Sequence, residues 1–382
     1  MANYDYEIVN GRKIRVRPKE TVSEIDKNGY FRRQPNHFTT PFGDGENDLK
    51  AEGNKRYRLV WAKLCHWSNR AAIVRELEGL EDQISVNMVE HAPHEKNLGW
   101  EYVYNENNID PVLGDQFLSE AYYRADDDYQ GRTTVPALID TTTGKVVNND
   151  YNWLTTYFEV NFRPWHKKGV PELYPVELRE EIDKMNLWLF DNINNAVYRS
   201  SFSRSNEGHF DGVNTFYAAM DRLEKRLETN RFLFGDYVTD SDIRLYVTLA
   251  RLDIRYTAQL GETKRPLYTY KNLWGYAKDL YQIPAFAHHT DFAAIIRQGR
   301  IEGEEDGFRA STHYDLALPK IDWDAQWKVS TERAYLSSDP THPIYLGNNR
   351  RFDIDPTWYD LGAESPKKEE KETPPSCGCC CG

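Results

Sequence analysis

The order of apolar residues predicts an α/β domain followed by an all-helical domain. Residues 56–160 alternate between short apolar runs and helical periodicity, in the order β-α-β-α-β-β-α. Residues 175–302 carry the apolar spacing of helices throughout. A linker bearing Pro and Gly, residues 161–174, separates the two regions. We therefore predict two folded domains joined by a short connection.

The α/β domain is predicted from runs of β-branched and aromatic residues that alternate with helical patterns. The first strand-helix-strand unit gives parallel strands, and the turn TTTGK joins the last two strands into an antiparallel hairpin. This order is the thioredoxin-like arrangement. The predicted elements are, in order, strand 57–62, helix 67–79, strand 83–89, a long loop over 90–115, a helix within 113–126, strands 135–140 and 145–149, and helix 150–158.

The second domain is predicted to be helical because its apolar residues recur every three or four positions. A helix start is expected at Thr239, since Asp242 three residues later fits a variant of the capping box. Further helices are predicted within 212–230, 272–284 and 291–300. The clearest apolar stripe consists of Leu178, Ile182, Met185, Leu189, Ile193 and Val197.

Both ends of the chain differ from this pattern. Residues 1–55 are polar and predict an extended arm that lies on a domain. Residues 303–361 are rich in Trp, Tyr and Pro without periodicity, and predict an irregular extension that wraps a surface or covers a partner subunit. Residues 362–382 are of low complexity and predict disorder. Their last six residues, CGCCCG, suggest either soft-metal binding or thiol exchange with Cys65 as minor hypotheses.

Composition narrows the class of partner. The 382-residue chain has 48 Lys and Arg against 60 Asp and Glu, a net charge of −12, which argues against nucleic acid. No apolar run approaches 18 residues, so no membrane span is expected. The N-terminus lacks the apolar stretch of a signal peptide. We expect a cytoplasmic protein with reduced thiols.

Cys65 is the only cysteine before the last six residues, and it lies between a predicted strand and the predicted helix that follows it. The unpaired N–H groups of a helix N-terminus favour a thiolate. No second cysteine follows at CxxC spacing, so an internal disulfide is unavailable. Reaction would then pass through a mixed disulfide with an external thiol. The alternative is that Cys65 is a small buried hydrophobic residue.

The segment Cys65-His66-Trp67-Ser68-Asn69-Arg70 is the first of several motifs that carry a family resemblance. The chain resembles the Xi-class glutathione S-transferases, the glutathionyl-hydroquinone reductases, which have a motif close to C-P-W-A/S-x-R at this place. The similarity covers roughly residues 28–300. Further matching segments are GWEY (99–102), DPVLGDQFLSEAYYRADDDYQGRTTVPALID (110–140), GKVVNND (144–150), INNAVY (193–198), DSDIRLYVTLARLD (240–253) and NLWGYAKDLYQIP (272–284).

The resemblance implies a fold of two parts, a thioredoxin-like domain and a helical glutathione-transferase domain. It implies that Cys65 attacks the sulfur of a glutathionyl-hydroquinone and that glutathione is the co-substrate. It further implies that no metal takes part and that the protein forms a homodimer. It also implies a cis peptide bond before Pro136. The glutathione site would consist of Trp100, Arg132, Val135, Asp150 and Tyr151, and the hydroquinone pocket would include Tyr198 and Tyr256.

Three departures from the family pattern affect the expected site. His66 replaces the proline after the cysteine and, if protonated, would favour the thiolate. Asp150-Tyr151 replaces a Glu-Ser pair, so the preferred thiol could differ. Residues 298–306 replace a late family segment that carries a further pocket tyrosine.

The expected function is a thiol-dependent reductase that takes a glutathionyl group off a hydroquinone, with a small thiol and an aromatic quinol as partners. Two other enzymatic hypotheses are a reductive dehalogenase of halogenated hydroquinones and a general deglutathionylase. A hypothesis of another class is a non-catalytic, transferase-like interaction protein, which the altered Asp150-Tyr151 pair, the replaced late segment and the C-terminal extension favour. Cys65 and Trp67, together with Trp100 and the Val135-Pro136 pair, argue against it.

Overall fold

A computed structural model describes residues 4–17, 23–92, 97–261, 265–296 and 321–338. The first half of the chain forms a mixed four-stranded sheet with helices packed on it, and two small hairpins accompany the sheet. The elements of this half are β1 Tyr6–Val9, β2 Arg12–Arg15, β3 Tyr57–Trp61, α1 His66–Leu77, β4 Ile84–Met88, β5 Glu90–His91, β6 Trp100–Glu101, α2 Leu118–Ala125, β7 Ala137–Asp140, β8 Lys145–Asn148 and α3 Leu154–Val160.

The main sheet has the strand order β4-β3-β7-β8, which confirms the predicted thioredoxin-like arrangement. Strands β3 and β4 are parallel, whereas β3 pairs with β7 and β7 with β8 in antiparallel fashion. Leu59 lies opposite Val86 on one side and Leu138 on the other. The expected loop over 90–115 contains the β5–β6 hairpin, whose two-residue strands are too short to produce a periodic signal.

The second half consists of helices, as the spacing of apolar residues predicts. Every member of the stripe from Leu178 to Val197 is buried. Thr239 donates to Asp242 Oδ2 through both its N–H and its Oγ1, each at 2.8 Å, so the capping box is confirmed. The helices are α4 Arg179–Leu189, α5 Ala196–Phe202, α6 Asn206–Arg226, α7 Asp240–Arg251, α8 Thr257–Gln259, α9 Lys271–Tyr281, α10 Pro284–His288 and α11 Trp323–Trp327, with π-helical turns at Phe190–Asn194 and Leu252–Tyr256.

The two ends of the chain are more ordered than the sequence suggests, where the structure describes them. The arm begins with the β1–β2 hairpin. In the extension, α11 places Trp327 in the helical core, where its ring meets those of Tyr246 and Trp274 edge to face. Of the last predicted helix, residues 292–296 are helical. Residues 297–320 and 339–382, including the cysteine-rich tail, lie outside the described residues.

Two features are absent from the described part of the chain. None of its helices combines the length and the apolar character needed to cross a membrane. Over the same residues, no group of three or more His, Cys, Asp or Glu side chains could hold a metal ion.

Candidate active site

Cys65 occupies the N-cap position of α1, directly after strand β3 and its short turn. The Cys65 amide donates to Ala62 O at 3.0 Å, and Asn69 N donates to Cys65 O at 2.9 Å, so the backbone of the nucleophile candidate is held on both sides. Its Sγ lies 3.7 Å from Val135 O. The Val135–Pro136 bond is cis, as the resemblance implies. The sulfur therefore lies both at the positive end of the α1 dipole and beside the Val135–Pro136 segment, called the cis-proline loop below.

His66 is buried beside Cys65, in an environment that disfavours its protonated form. Its Nδ1 lies 3.2 Å from Thr248 Oγ1 and 3.1 Å from Tyr256 OH. Burial, together with the charge of Arg251 and other arginines, lowers the pKa of the imidazole well below its usual value. A neutral ring whose Nδ1 accepts a hydrogen bond from one neighbouring hydroxyl fits this environment. A protonated His66 would favour the Cys65 thiolate, but this environment disfavours protonation of the imidazole, so that contribution is not expected near neutral pH.

A cavity of about 460 Å³ opens in front of Cys65. Its wall combines the first turn of α1 and the cis-proline loop with the arm and with the helical domain. Six of the eight candidate site residues line it, namely Cys65, Trp100, Arg132, Val135, Tyr151 and Tyr198. The other two lie behind the wall. Asp150 Oδ1 accepts from Asn36 Nδ2 at 2.8 Å, and Asn36 is itself a lining residue, whereas the Tyr256 hydroxyl contacts His66.

Trp100 is fixed by two contacts on the hairpin side of the cavity. Its ring stacks on His91 with centroids 3.7 Å apart, and its Nε1 donates to Thr133 O at 3.1 Å. These contacts join β5, β6 and the loop that leads to Val135. The indole therefore belongs to a rigid wall on the same side as the cis-proline loop.

Arg132 is already engaged by a carboxylate from the arm. Its Nε and Nη2 donate to the two carboxylate oxygens of Glu24, each at 2.8 Å. Burial raises the pKa of Glu24, but the hydrogen bonds and charge of Arg132 outweigh burial, and the net shift is downward. A guanidinium fork of this geometry is suited to any carboxylate. Glu24 thus occupies the guanidinium fork of a residue that the resemblance assigns to the glutathione site.

The arm contributes residues that the sequence analysis did not single out. Phe31, Arg33, Gln34 and Asn36 join Glu24 in lining the cavity. Arg33 lies over the rings of Trp67 and Tyr198, 4.7 Å and 4.3 Å from their centroids. The only local sign of this role was the mixture of aromatic and basic residues in YFRRQPNHF, which by itself says nothing about where the arm packs.

Comparison with known proteins identifies the class to which this fold and cavity belong. The family model for the glutathione S-transferase C-terminal domain matches residues 197–279. The glutathionyl-hydroquinone reductase YqjG of Escherichia coli is 34% identical over 240 residues, which span 63% of this chain and 73% of that protein. The glutathione S-transferase omega-like 2 of Schizosaccharomyces pombe is 35% identical over 280 residues, 70% of this chain and 88% of that protein.

Solved structures agree with these relatives. The glutathione S-transferase Xi of Phanerochaete chrysosporium has a TM-score of 0.65 at 33% identity and covers 71% of this chain and 88% of its own. The glutathione-bound structure of E. coli YqjG has a TM-score of 0.65 at 30% identity, with coverage of 80% and 97%.

The chain is therefore a glutathione transferase-like enzyme, with the mixed sheet and helical domain of that fold. Within that class, it belongs to the Xi family, which includes proteins named glutathionyl-hydroquinone reductase.

Proposed function

We propose that this protein is a glutathione-dependent reductase that removes a glutathionyl group from hydroquinones through a mixed disulfide on Cys65. The observation that carries the proposal is the position of Cys65 Sγ, at the start of α1 and 3.7 Å from Val135 O, in an aromatic cavity. Membership of the Xi family supports the choice of glutathione and of a quinol.

The first step transfers the glutathionyl sulfur to the enzyme. The Cys65 thiolate attacks that sulfur, an S–S bond forms, and the bond from sulfur to the ring carbon breaks. The electron pair stays on the ring carbon, which takes up a proton, and the hydroquinone leaves. The hydroxyl groups of the ring make the ring carbon a better leaving group, because they allow this carbon to be protonated as its bond to sulfur breaks.

The second step restores the thiolate. A second glutathione, as thiolate, attacks the glutathione sulfur of the mixed disulfide, so that glutathione disulfide forms and the Cys65 thiolate departs. The two thiols lose two electrons in all, and the ring carbon gains them. The sequence lacks a resolving cysteine at CxxC spacing, and in this scheme the second glutathione takes that part.

The surrounding residues are assigned by their positions in the cavity. The backbone of Val135 binds the cysteinyl part of glutathione, and Trp100 lies beside the tripeptide. Arg132 binds a carboxylate of glutathione after the Glu24 carboxylate has left its guanidinium group. Tyr151 and the Asn36–Asp150 pair hold the γ-glutamyl end. The quinol ring packs on Tyr198, whereas Tyr256 acts indirectly through its contact with His66.

The decisive experiment is turnover of glutathionyl-menadiol or glutathionyl-hydroquinone with glutathione. We expect the unmodified protein to release the free quinol and Cys65→Ala to be at least about a hundredfold slower. A variant with the four tail cysteines changed to serine is the matched control and is expected to stay active. Intact mass after reaction with substrate alone should show one glutathione adduct, assigned to Cys65 by peptide mapping.

Parallel reactions separate the remaining hypotheses. Release of chloride from chlorohydroquinone would identify a dehalogenase, and faster reduction of a glutathionylated peptide than of the quinol conjugate would identify a general deglutathionylase. No turnover of any substrate, with several thiols tried, would leave the non-catalytic interaction protein. A cytoplasmic location and a homodimer are parts of the same proposal, to be checked by cell fractionation and by light scattering.

A further inference from the structure

Arg33 brings a guanidinium group from the arm into the aromatic part of the cavity that holds Cys65. The group lies 4.7 Å from the ring centroid of Trp67 and 4.3 Å from that of Tyr198. Trp67 belongs to the first turn of α1, two residues after Cys65, whereas Tyr198 comes from α5. The guanidinium therefore contacts both the helix that begins at the thiol and the ring on which the proposed function packs the quinol.

Within the described ranges, Arg33 makes its close contacts with neutral groups. Its Nε donates to the amide oxygen of Asn195 at 2.9 Å, and its other close contacts are the aromatic rings. The charge of Glu24 also acts on Arg33, but both oxygens of Glu24 are hydrogen-bonded to Arg132. Arg33 Nη2 is buried and has no hydrogen-bond partner among the described residues. One N–H-bearing nitrogen of this cation is thus left for a ligand of the cavity.

The chemistry of this nitrogen limits the kind of ligand atom that suits it. A buried donor without an acceptor costs free energy, so an acceptor that enters the cavity is favoured at this place. Arginine stays protonated in proteins, and its hydrogen bonds to an ionised oxygen are about twice as strong as bonds between neutral groups. An oxygen that carries negative charge is therefore the best partner for Arg33 Nη2.

The first step of the proposed reaction creates such an oxygen. The S–S bond forms, the bond from sulfur to the ring carbon breaks, and its electron pair becomes a new C–H bond on that carbon. If a ring hydroxyl supplies the proton, its oxygen is left as a phenolate, which afterwards takes up one proton from the solvent. The negative charge of the Cys65 thiolate thus passes to an oxygen of the departing quinol.

We propose, building on the proposed function, that Arg33 is a catalytic residue that binds the phenolate oxygen of the quinol as the quinol departs. The ring of the quinol packs beside Tyr198, Arg33 Nη2 donates to the phenolate oxygen, and Arg33 Nε stays on Asn195. The hydrogen bond is stronger to the phenolate than to the neutral hydroxyl of the bound conjugate. It therefore stabilises the transition state more than the ground state, which is the condition for faster chemistry.

The first test is how the single-turnover rate of quinol release depends on the acidity of the quinol. The substrates are the glutathionyl conjugates of methylhydroquinone and of the more acidic dichlorohydroquinone. Without the guanidinium, departure depends more on the acidity of the ring itself, so Arg33→Gln should slow the methyl conjugate about a hundredfold and the dichloro conjugate about tenfold. Arg33→Lys keeps the charge and should have intermediate rates. Arg32→Gln, whose side chain is largely exposed and paired with Asp26, is the matched control and should keep both rates.

Two kinetic results would overturn this inference. If Arg33→Gln slows both conjugates equally, or neither, the side chain only shapes the cavity. If Arg33→Gln lowers the rate at which iodoacetamide alkylates Cys65 by the same factor as quinol release, the charge acts on the thiolate and not on the quinol.

A binding measurement separates this inference from the proposed function. The probe is 4-nitrophenol, whose ionisation changes its absorbance, titrated with base on the glutathione-loaded protein. We expect bound 4-nitrophenol to ionise about one pH unit lower on the unmodified protein than on Arg33→Gln, because the guanidinium favours the phenolate. Ionisation at the same pH on both proteins contradicts the phenolate contact. Ionisation at lower pH on the unmodified protein, without turnover of any conjugate, contradicts only the reductase.

Discussion

The guanidinium of Arg251 donates through Nε to the carbonyl oxygen of Leu64, the residue before Cys65, at 2.7 Å. Its Nη2 donates to Lys63 O at 2.8 Å and its Nη1 to Val247 O, also at 2.8 Å. Arg251 is fully buried at the end of α7. One side chain of the helical domain therefore fixes the turn that presents the nucleophile candidate.

This relationship predicts a double effect for Arg251→Leu. The substitution leaves the carbonyl oxygens of Leu64 and Lys63 buried without a donor, and the free energy of unfolding should fall by about 2–4 kcal/mol. Turnover should fall as well, because the turn before Cys65 loses its anchor. Urea unfolding and steady-state rates measure the two effects. Arg226→Leu, which removes a donor to Leu233 O away from the cavity, is the control and should affect stability alone.

His66 predicts a loss of stability in mild acid. The folded state holds the imidazole neutral, so unfolding takes up a proton at pH values between its lowered pKa and the usual 6.5. Stability from this group is complete above about pH 6.5 and is lost as the pH falls, by up to about 1.4 kcal/mol per pH unit. Urea midpoints between pH 5 and 7.5 should show a shallower acid slope for His66→Asn than for the unmodified protein. An unchanged slope would contradict a neutral buried imidazole, and the exposed His37→Asn serves as reference.

Glu24 predicts that the arm competes with glutathione for Arg132. The Glu24–Arg132 pair is partly exposed, so it contributes about 1 kcal/mol or less. Glu24→Ala should therefore lower the KM for glutathione by up to about fivefold, and Arg132→Gln should raise it. Glu7→Ala, an exposed carboxylate on β1, should leave the KM unchanged. A higher KM in Glu24→Ala would mean that Glu24 positions Arg132 for glutathione.

The two pocket tyrosines are expected to differ. Tyr198 lines the cavity and its ring packs on the quinol in the proposed function, so Tyr198→Leu, which removes the aromatic ring, should slow turnover of the quinol conjugate about tenfold. Tyr256 is buried with its hydroxyl 3.1 Å from His66 Nδ1, so Tyr256→Phe should mainly cost about 1 kcal/mol of stability. Steady-state rates and urea midpoints for both variants check this. If the Tyr256 variant slows turnover more than the Tyr198 variant does, Tyr256 belongs to the quinol pocket, as the family resemblance implies.

Much of the fold was predictable because it depends on short-range patterns. The strands around Leu59 and Leu138 and the capping box at Thr239 each rest on residues close together in sequence. The two-residue strands of the β5–β6 hairpin escaped prediction because they form through pairing across the His91–Trp100 loop and carry no periodicity. The docking of Trp327 also depends on partners about fifty to eighty residues away.

The sequence by itself determined that a lone thiol begins a helix after a buried strand and that a helical domain follows. Only the tertiary structure decided the environment of that thiol. It disfavoured the protonated form of His66 by burying it near arginines, placed Glu24 on Arg132, and brought Arg33, Arg204 and Arg255 into the lining of one cavity. The physical reason is that helix starts and strand runs follow from neighbouring residues, whereas desolvation and charge pairing depend on which distant segments the fold packs together.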